Sequence, residues 1–234
     1  MQMWQVMFNL IRSIIVLSFI FFLTSCGVSS AKREFEQPRE KVQIPQTVSS
    51  KPKIVAFGDS LTAGFGLSEK ESYPYLLQEK LRADGYDYDV VNAGVSGDTS
   101  AGGLERIDWS LEQENVQILI LELGANDLLR GLPVEKMKEN LSTMIKKAKA
   151  KNVKVLFCGM IAPPTMGAKY QREFVSVFPD LASEHKVEFL SFILENVAAD
   201  PKLNQADGIH PNAEGEKIMT DNVYNALKPL LSKK

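Results

Sequence analysis

The chain has 234 residues, 44% of them hydrophobic and 24% charged, with a formal net charge of −2. Those values suit one globular domain with an ordinary core. A near-neutral balance argues against nucleic acid as a partner, and two cysteines with two histidines leave no zinc-type cluster, so no metal or cofactor is expected.

The first 25 residues stand apart from the fold. Arg12 is their only charged side chain, and "SIIVLSFIFFLTSC" follows as an apolar run of about a dozen residues, the length of a signal h-region and short for a membrane span of about 20. The run ends in "LTSC", which resembles the lipobox of bacterial lipoproteins, where cleavage leaves a lipidated cysteine as the new first residue. That resemblance implies lipidation of Cys26. With Gly27 next, it also implies an exported protein anchored in the cell envelope, outer membrane favoured. Two or more acyl chains give stable anchoring. Cys158 would then lack a partner and behave as a small buried hydrophobe.

Residues 26–52, the cysteine and the stretch after it, have mixed charges, three prolines and no sustained period, which predicts a flexible tether spanning roughly 30 Å. From 53 to 232 short apolar runs alternate with helical patterns. Strands are predicted at 53–57, 88–92, 116–123, 153–159 and 187–190. Between them, 73–85 places Tyr75, Leu76, Gln78, Glu79 and Leu81 at helical spacing, and 100–114 is a weaker helix because of its paired glycines. Residues 133–152 form a strong pattern, with Met137, Leu141, Met144, Ile145 and Ala148 on one face and Pro133 in the first turn. Residues 167–186 are helical at least to Phe178, with Pro179 a point of kinking, and 212–231 form a last helix capped by Asn212. Apolar strands alternating with helices predict an α/β fold: a flavodoxin-like three-layer α/β/α sandwich on a five-stranded parallel sheet.

In such a sheet the working residues lie in loops at the carboxyl ends of the strands. The first loop, "GDS", offers Ser60, but Thr62 occupies the place of the second glycine in a G-x-S-x-G elbow. A serine nucleophile needs a base and oxyanion donors. Of the two histidines, His185 sits among charged residues and reads as solvent-exposed spacing. His210 follows Asp207 by three residues, which lets the carboxylate fold back onto one imidazole nitrogen while the other faces Ser60. Asp207 and Asn212 serve equally well as helix caps on local sequence alone. Gly97 in "VSGDTS" offers a backbone N–H, Asn126 in "GAND" a side-chain amide, and Ser60 its own N–H as third donor; both loops are also ordinary turn compositions.

Taken together, "FGDSLTAGFG", "VVNAGVSGDTSAGGL", "LELGANDLLRG" and "DGIHPNAEG" resemble the sequence blocks of the SGNH or GDSL hydrolases, in the thioesterase I, arylesterase and lysophospholipase L1 branch. The resemblance covers 53–232. It implies Ser60 as nucleophile, Gly97 and Asn126 as oxyanion donors, His210 as base and Asp207 as its orienter, with Gly94 the competitor for the glycine role. The implied activity is hydrolysis of aryl, short-chain acyl, lysophospholipid or thio esters through an acyl-enzyme. The alternatives are a carbohydrate O-acetylesterase and a non-catalytic envelope binding module. The loop "GMIAPPTMGAKY" departs from the pattern, and Met160, Ile161 and Met166 are its candidates for an apolar acyl pocket. Partners are a small acyl ester or lipid and, through Cys26, the membrane; a monomer is expected.

Overall fold

The computed structural model describes residues 51–233. Residues 1–50, and with them the signal segment, the lipidated Cys26 and nearly all of the tether expected from the sequence, lie outside the described residues. The described chain alternates β1 (Lys53–Gly58), α1 (Ser60–Ala63), α2 (Tyr73–Ala83), β2 (Asp89–Gly94), α3 (Ser100–Leu111), β3 (Val116–Glu122), α4 (Ala125–Leu129), α5 (Val134–Ala150), β4 (Lys154–Cys158), α6 (Ala168–His185), β5 (Glu188–Leu190) and α7 (Ala213–Leu227).

All five strands pair in parallel in the order β2-β1-β3-β4-β5. The central strands are apolar at consecutive positions because helices cover both faces. Ile54 to Phe57, Ile118 to Leu121 and Leu156 to Cys158 are fully buried. Helices α3, α5 and α6 pack side by side on one face, α2 and α7 together on the other. The chain runs from β1 outward to β2, then crosses back to β3 on the other side of β1, so the strand order reverses between β1 and β3. A crevice at the carboxyl ends of the strands is the geometric consequence of that reversal.

Three helices differ in detail from the sequence expectation. The buried face of α2 is Tyr73, Pro74, Leu77, Gln78 and Leu81, not the set with Tyr75, Leu76 and Glu79. The helix opens already inside the core at Tyr73, and Glu79 turns outward to pair with Arg82 at 2.8 Å. Helix α3 ends at Leu111, earlier than the pattern suggested. Its Gly103 is needed for close packing: a Cβ there would stand 2.3 Å from Leu123 Cδ1. Helix α6 continues through Pro179 to His185. The proline costs it the hydrogen bond to the Val175 carbonyl, but Phe174, Val177, Phe178 and Leu181 are buried around that point and hold the helix in place.

Candidate active site

Strand β1 stops at Gly58 and the chain turns at once into α1. Asp59 caps that single turn, its Oδ1 accepting from Leu61 N at 3.1 Å, and Gly64 closes it in the left-handed region at φ 74°. Ser60 is therefore the first residue of a short helical turn at the carboxyl edge of the sheet. Its hydroxyl pairs with His210 Nε2 at 2.9 Å, across 150 positions of sequence.

His210 is held on three sides. Its Nδ1 pairs with Asp207 Oδ2 at 2.7 Å. Asp207 Oδ1 accepts from the backbone N–H of Ile209 at 3.0 Å and of His210 at 3.1 Å. The imidazole bond first, and then these two amides, hold the Asp207 carboxyl down at about 2, so it is an anion throughout the neutral range. The ring of Phe65 lies 4.7 Å from the imidazole. Gln205 ties the two loops together, donating to the Phe65 carbonyl at 2.7 Å and the Pro211 carbonyl at 2.9 Å. Asn212 meanwhile caps α7, its Oδ1 accepting from Glu214 N and Gly215 N, so capping and the Asp207–His210 pair coexist in one loop.

The glycine and asparagine loops reach the same place from β2 and β3. Gly97 adopts φ +82°, and its carbonyl accepts from Arg130 Nη2 at 2.6 Å. Its own N–H has no partner among the described residues and lies on the wall of the crevice. The competing Gly94 N–H donates to Asn92 Oδ1 at 2.9 Å and is consumed there. Asn126, in the first turn of α4, donates through Nδ2 to Asp59 Oδ2 at 3.0 Å, which leaves the second amide hydrogen free. Asp59 is fully buried; desolvation pushes its carboxyl up to about 6, against the opposing pull of Leu61 N and Asn126.

The crevice is a cavity of about 370 Å³ whose wall carries Ser60, Gly97, Asn126 and His210. Met160 and Ile161 are on that wall. Met166 is not: the 3-10 turn Pro164–Met166 carries it against the core instead. Much of the apolar wall comes from Phe192, Leu194, Ala198 and Ala199, in a segment without periodicity whose sequence offered no signal. Phe65, Ile161 and Ile209 are each about half exposed at the mouth, and Leu129 more so.

His185 corrects the sequence reading. It is buried, its Nε2 paired with Ser142 Oγ at 2.8 Å and its carbonyl accepting from Lys149 at 2.5 Å. Burial lowers its proton affinity, and it is absent from the cavity wall. Cys158 is free and buried on β4. Sequence reasoning passed over several residues that brace the site. Arg106 donates to Asp98 Oδ2 at 2.7 Å and to the carbonyls of Ala93 and Gly58 at 2.8 Å each, joining the ends of β1 and β2. Asp127 accepts from Ser100 N at 2.7 Å and Ser100 Oγ at 2.6 Å, joining the start of α3 to α4.

Residues 56–218 match the model of the GDSL-like lipase/acylhydrolase family. Over 178 residues the chain is 42% identical to an esterase TesA of Pseudomonas aeruginosa, covering 76% of this chain and 89% of that one. It is 35% identical to a thioesterase 1/protease 1/lysophospholipase L1 of Escherichia coli, covering 76% and 85%. The fold superposes on a psychrotrophic esterase EstA from Pseudoalteromonas sp., solved as inhibited by monoethylphosphonate, with a TM-score of 0.73 at 36% identity over 76% of this chain and 98% of that one.

Proposed function

The chain belongs to the GDSL-like lipase/acylhydrolase family, and from that premise we propose that Ser60, His210 and Asp207 are its catalytic triad. The protein is a serine esterase, a carboxylic ester hydrolase. The observation that carries the triad is the unbroken chain Ser60 Oγ, His210 Nε2, His210 Nδ1, Asp207 Oδ2, at 2.9 and 2.7 Å, opening into the cavity beside unpartnered donors.

In the reaction the Ser60 Oγ–H bond breaks as Oγ attacks the acyl carbon, and the proton goes to His210 Nε2. The carbonyl oxygen becomes an oxyanion facing the N–H groups of Ser60 and Gly97 and the free amide hydrogen of Asn126. Asp207 stabilises the imidazolium. The carbon–oxygen or carbon–sulfur bond to the leaving group then breaks, the leaving group takes the His210 proton, and an acyl-Ser60 ester remains. Water attacks that ester as His210 Nε2 takes its proton; the bond from the acyl carbon to Ser60 Oγ then breaks, Oγ recovers the proton from His210, and the carboxylic acid leaves.

Aryl and short-chain acyl esters, acyl thioesters and lysophospholipids are the proposed substrate range. Support comes from the names of the relatives and from the apolar wall of Met160, Ile161, Phe192 and Leu194, which offers an acyl chain burial and a sugar ring few partners. We also propose that the protein is exported and held in the envelope through lipidated Cys26. The support is the apolar run ending in "LTSC", while no helix among the described residues is long and apolar enough to cross a membrane.

The test of the triad is Ser60→Ala. It should abolish hydrolysis of p-nitrophenyl esters and labelling by a fluorophosphonate probe. An active Ser60→Ala protein, or an inert wild type, overturns the assignment.

A further inference from the structure

Beneath the nucleophile turn lies a carboxyl group that the reaction above does not use. Glu122 ends β3 opposite Gly58 in the sheet register, and it is fully buried. Its side chain passes under the turn. Oε2 accepts from Asp59 N at 3.2 Å and from Thr62 Oγ1 at 2.8 Å. These two groups flank Ser60, one residue before it and two after. Thr62 Oγ1 is also in contact with Tyr73 Oη at 3.3 Å.

The space for this arrangement is built into β1. A Cβ at Gly58 would stand 2.1 Å from Thr62 Oγ1 and 2.3 Å from Glu122 Oε2. The glycine before the Asp-Ser pair therefore leaves a slot, and the Glu122 carboxyl fills it. The grip also reaches both kinds of oxyanion donor. It fixes the Gly58–Asp59 peptide, one unit before the peptide whose Ser60 N–H is one donor. It fixes Asp59 as well, whose carboxylate holds Asn126 Nδ2, the other.

The groups facing Glu122 are Asp59 from the β1–α1 turn, Thr62 from α1, Tyr73 from α2 and Glu216 from α7, with Cys158 on β4 also within its electrostatic reach. None is a cation. Glu122 Oε1 has no partner and no solvent access. An ionised carboxylate in that place would be a bare buried charge beside two other acids, which is costly. Burial accordingly pushes its proton affinity well above the usual carboxylate range, and a neutral acid whose Oε2 is the carbonyl oxygen accepting both bonds fits these surroundings.

We propose that Glu122 is a positioning residue of this esterase, working as a neutral carboxylic acid that clamps Asp59 N and Thr62 Oγ1 and so holds the Ser60 turn and its oxyanion donors in register. The proposal rests on Ser60 being the nucleophile. Two near-isosteric variants separate the two ideas. Glu122→Gln keeps a carbonyl acceptor and no charge; Glu122→Met keeps the volume and removes the acceptor. In the full-length protein, p-nitrophenyl ester kinetics should give Glu122→Gln a kcat close to wild type. Glu122→Met should lose about 100-fold in kcat, the scale of a misplacement near 1 Å, with KM nearly unchanged, and its fluorophosphonate labelling should slow in parallel. Should the Met variant not fold, Thr62→Val removes one of the two clamped groups and should lower kcat with KM kept.

A Glu122→Met or Thr62→Val protein with wild-type kcat overturns the clamp. So does a loss confined to KM. A Glu122→Gln protein as slow as Glu122→Met overturns the neutral form. Failure of wild-type labelling, or labelling that survives Ser60→Ala, strikes the nucleophile reading instead.

Discussion

Asn126→Ala is the substitution whose consequences divide most cleanly. The side chain has two amide hydrogens. One is spent on Asp59 Oδ2 at 3.0 Å; the other is free on the cavity wall beside Ser60 and meets charge only when the tetrahedral intermediate forms. Deleting one such donor costs about 2.7–4 kcal/mol of transition-state stabilisation, about 10²–10³ in kcat, and KM should change little because the ground-state carbonyl gains less from the donor. The same truncation leaves the buried Asp59 carboxyl with one partner fewer, a cost of about 1–3 kcal/mol. For a domain of this size each kcal/mol moves Tm by about 2–4 °C, so melting should fall by several degrees. Asp59, already pushed up to about 6, should titrate higher still once a bond that favours its anion is gone. The assays are p-nitrophenyl ester kinetics and scanning calorimetry on the same preparation. A folded Asn126→Ala protein with kcat within about threefold of wild type would refute the role, since losing a donor of this kind typically costs about 10²–10³ in kcat.

Glu216 offers a test of stability against pH. Burial raises its carboxyl from 4.5 to about 8, against the opposing pull of the bond it accepts from Tyr73 N at 2.8 Å. The folded state thus binds this proton more tightly than the unfolded chain, so its contribution is complete below about 4.5 and is lost as pH climbs towards 8. At about 1.4 kcal/mol per tenfold in proton affinity, the loss across that window is on the order of a few kcal/mol. Glu216→Gln keeps the acceptor without the charge. Its urea midpoint, compared with wild type, should therefore gain progressively between pH 5 and 8; a difference independent of pH contradicts this. Cys26→Ser should move the protein from the membrane to the soluble fraction after fractionation, and a variant still membrane-bound through an uncleaved N-terminus would remove the lipid anchor from the proposal.

The fold was legible because its signals are repeated. Each central strand is a run of consecutive apolar residues, and a strand covered on both faces has no other way to read. Helix α5 declared its face through Met137, Leu141, Met144, Ile145 and Ala148, all buried. Where one face was misread, the cause was local. Tyr73 and Pro74 begin α2 inside the core, and a pattern started two residues later selects Tyr75 and Leu76. His185 was misread because charged neighbours suggest a surface loop, whereas the last turn of α6 aims its ring at Ser142 on α5. Charge on either side of a helical residue says little about the residue itself, since positions one apart face different ways.

The site was legible where chemistry demands a particular side chain and illegible where it demands only support. A base narrows to two histidines, and Asp-x-x-His spacing closes on itself through two backbone amides as well as the imidazole. No comparable rule exposes Arg106, whose guanidinium gathers two strand-end carbonyls and the Asp98 carboxylate. Glu122 is hidden further, as one acid at the end of "VQILILEL", a run that identifies a buried strand and nothing more. An acid in that position is an expense: buried, uncharged, with one oxygen unpartnered. A strand end that needed only packing would carry leucine there, with Thr62 replaced by valine. A Cβ at Gly58 would collide with that acid, with Thr62 Oγ1 and with the backbone carbonyl of Glu122, so β3 and the turn approach each other closely only across a glycine. The glycine of the Gly-Asp-Ser turn then has a reason beyond turn geometry, because it is the space through which β3 reaches the nucleophile.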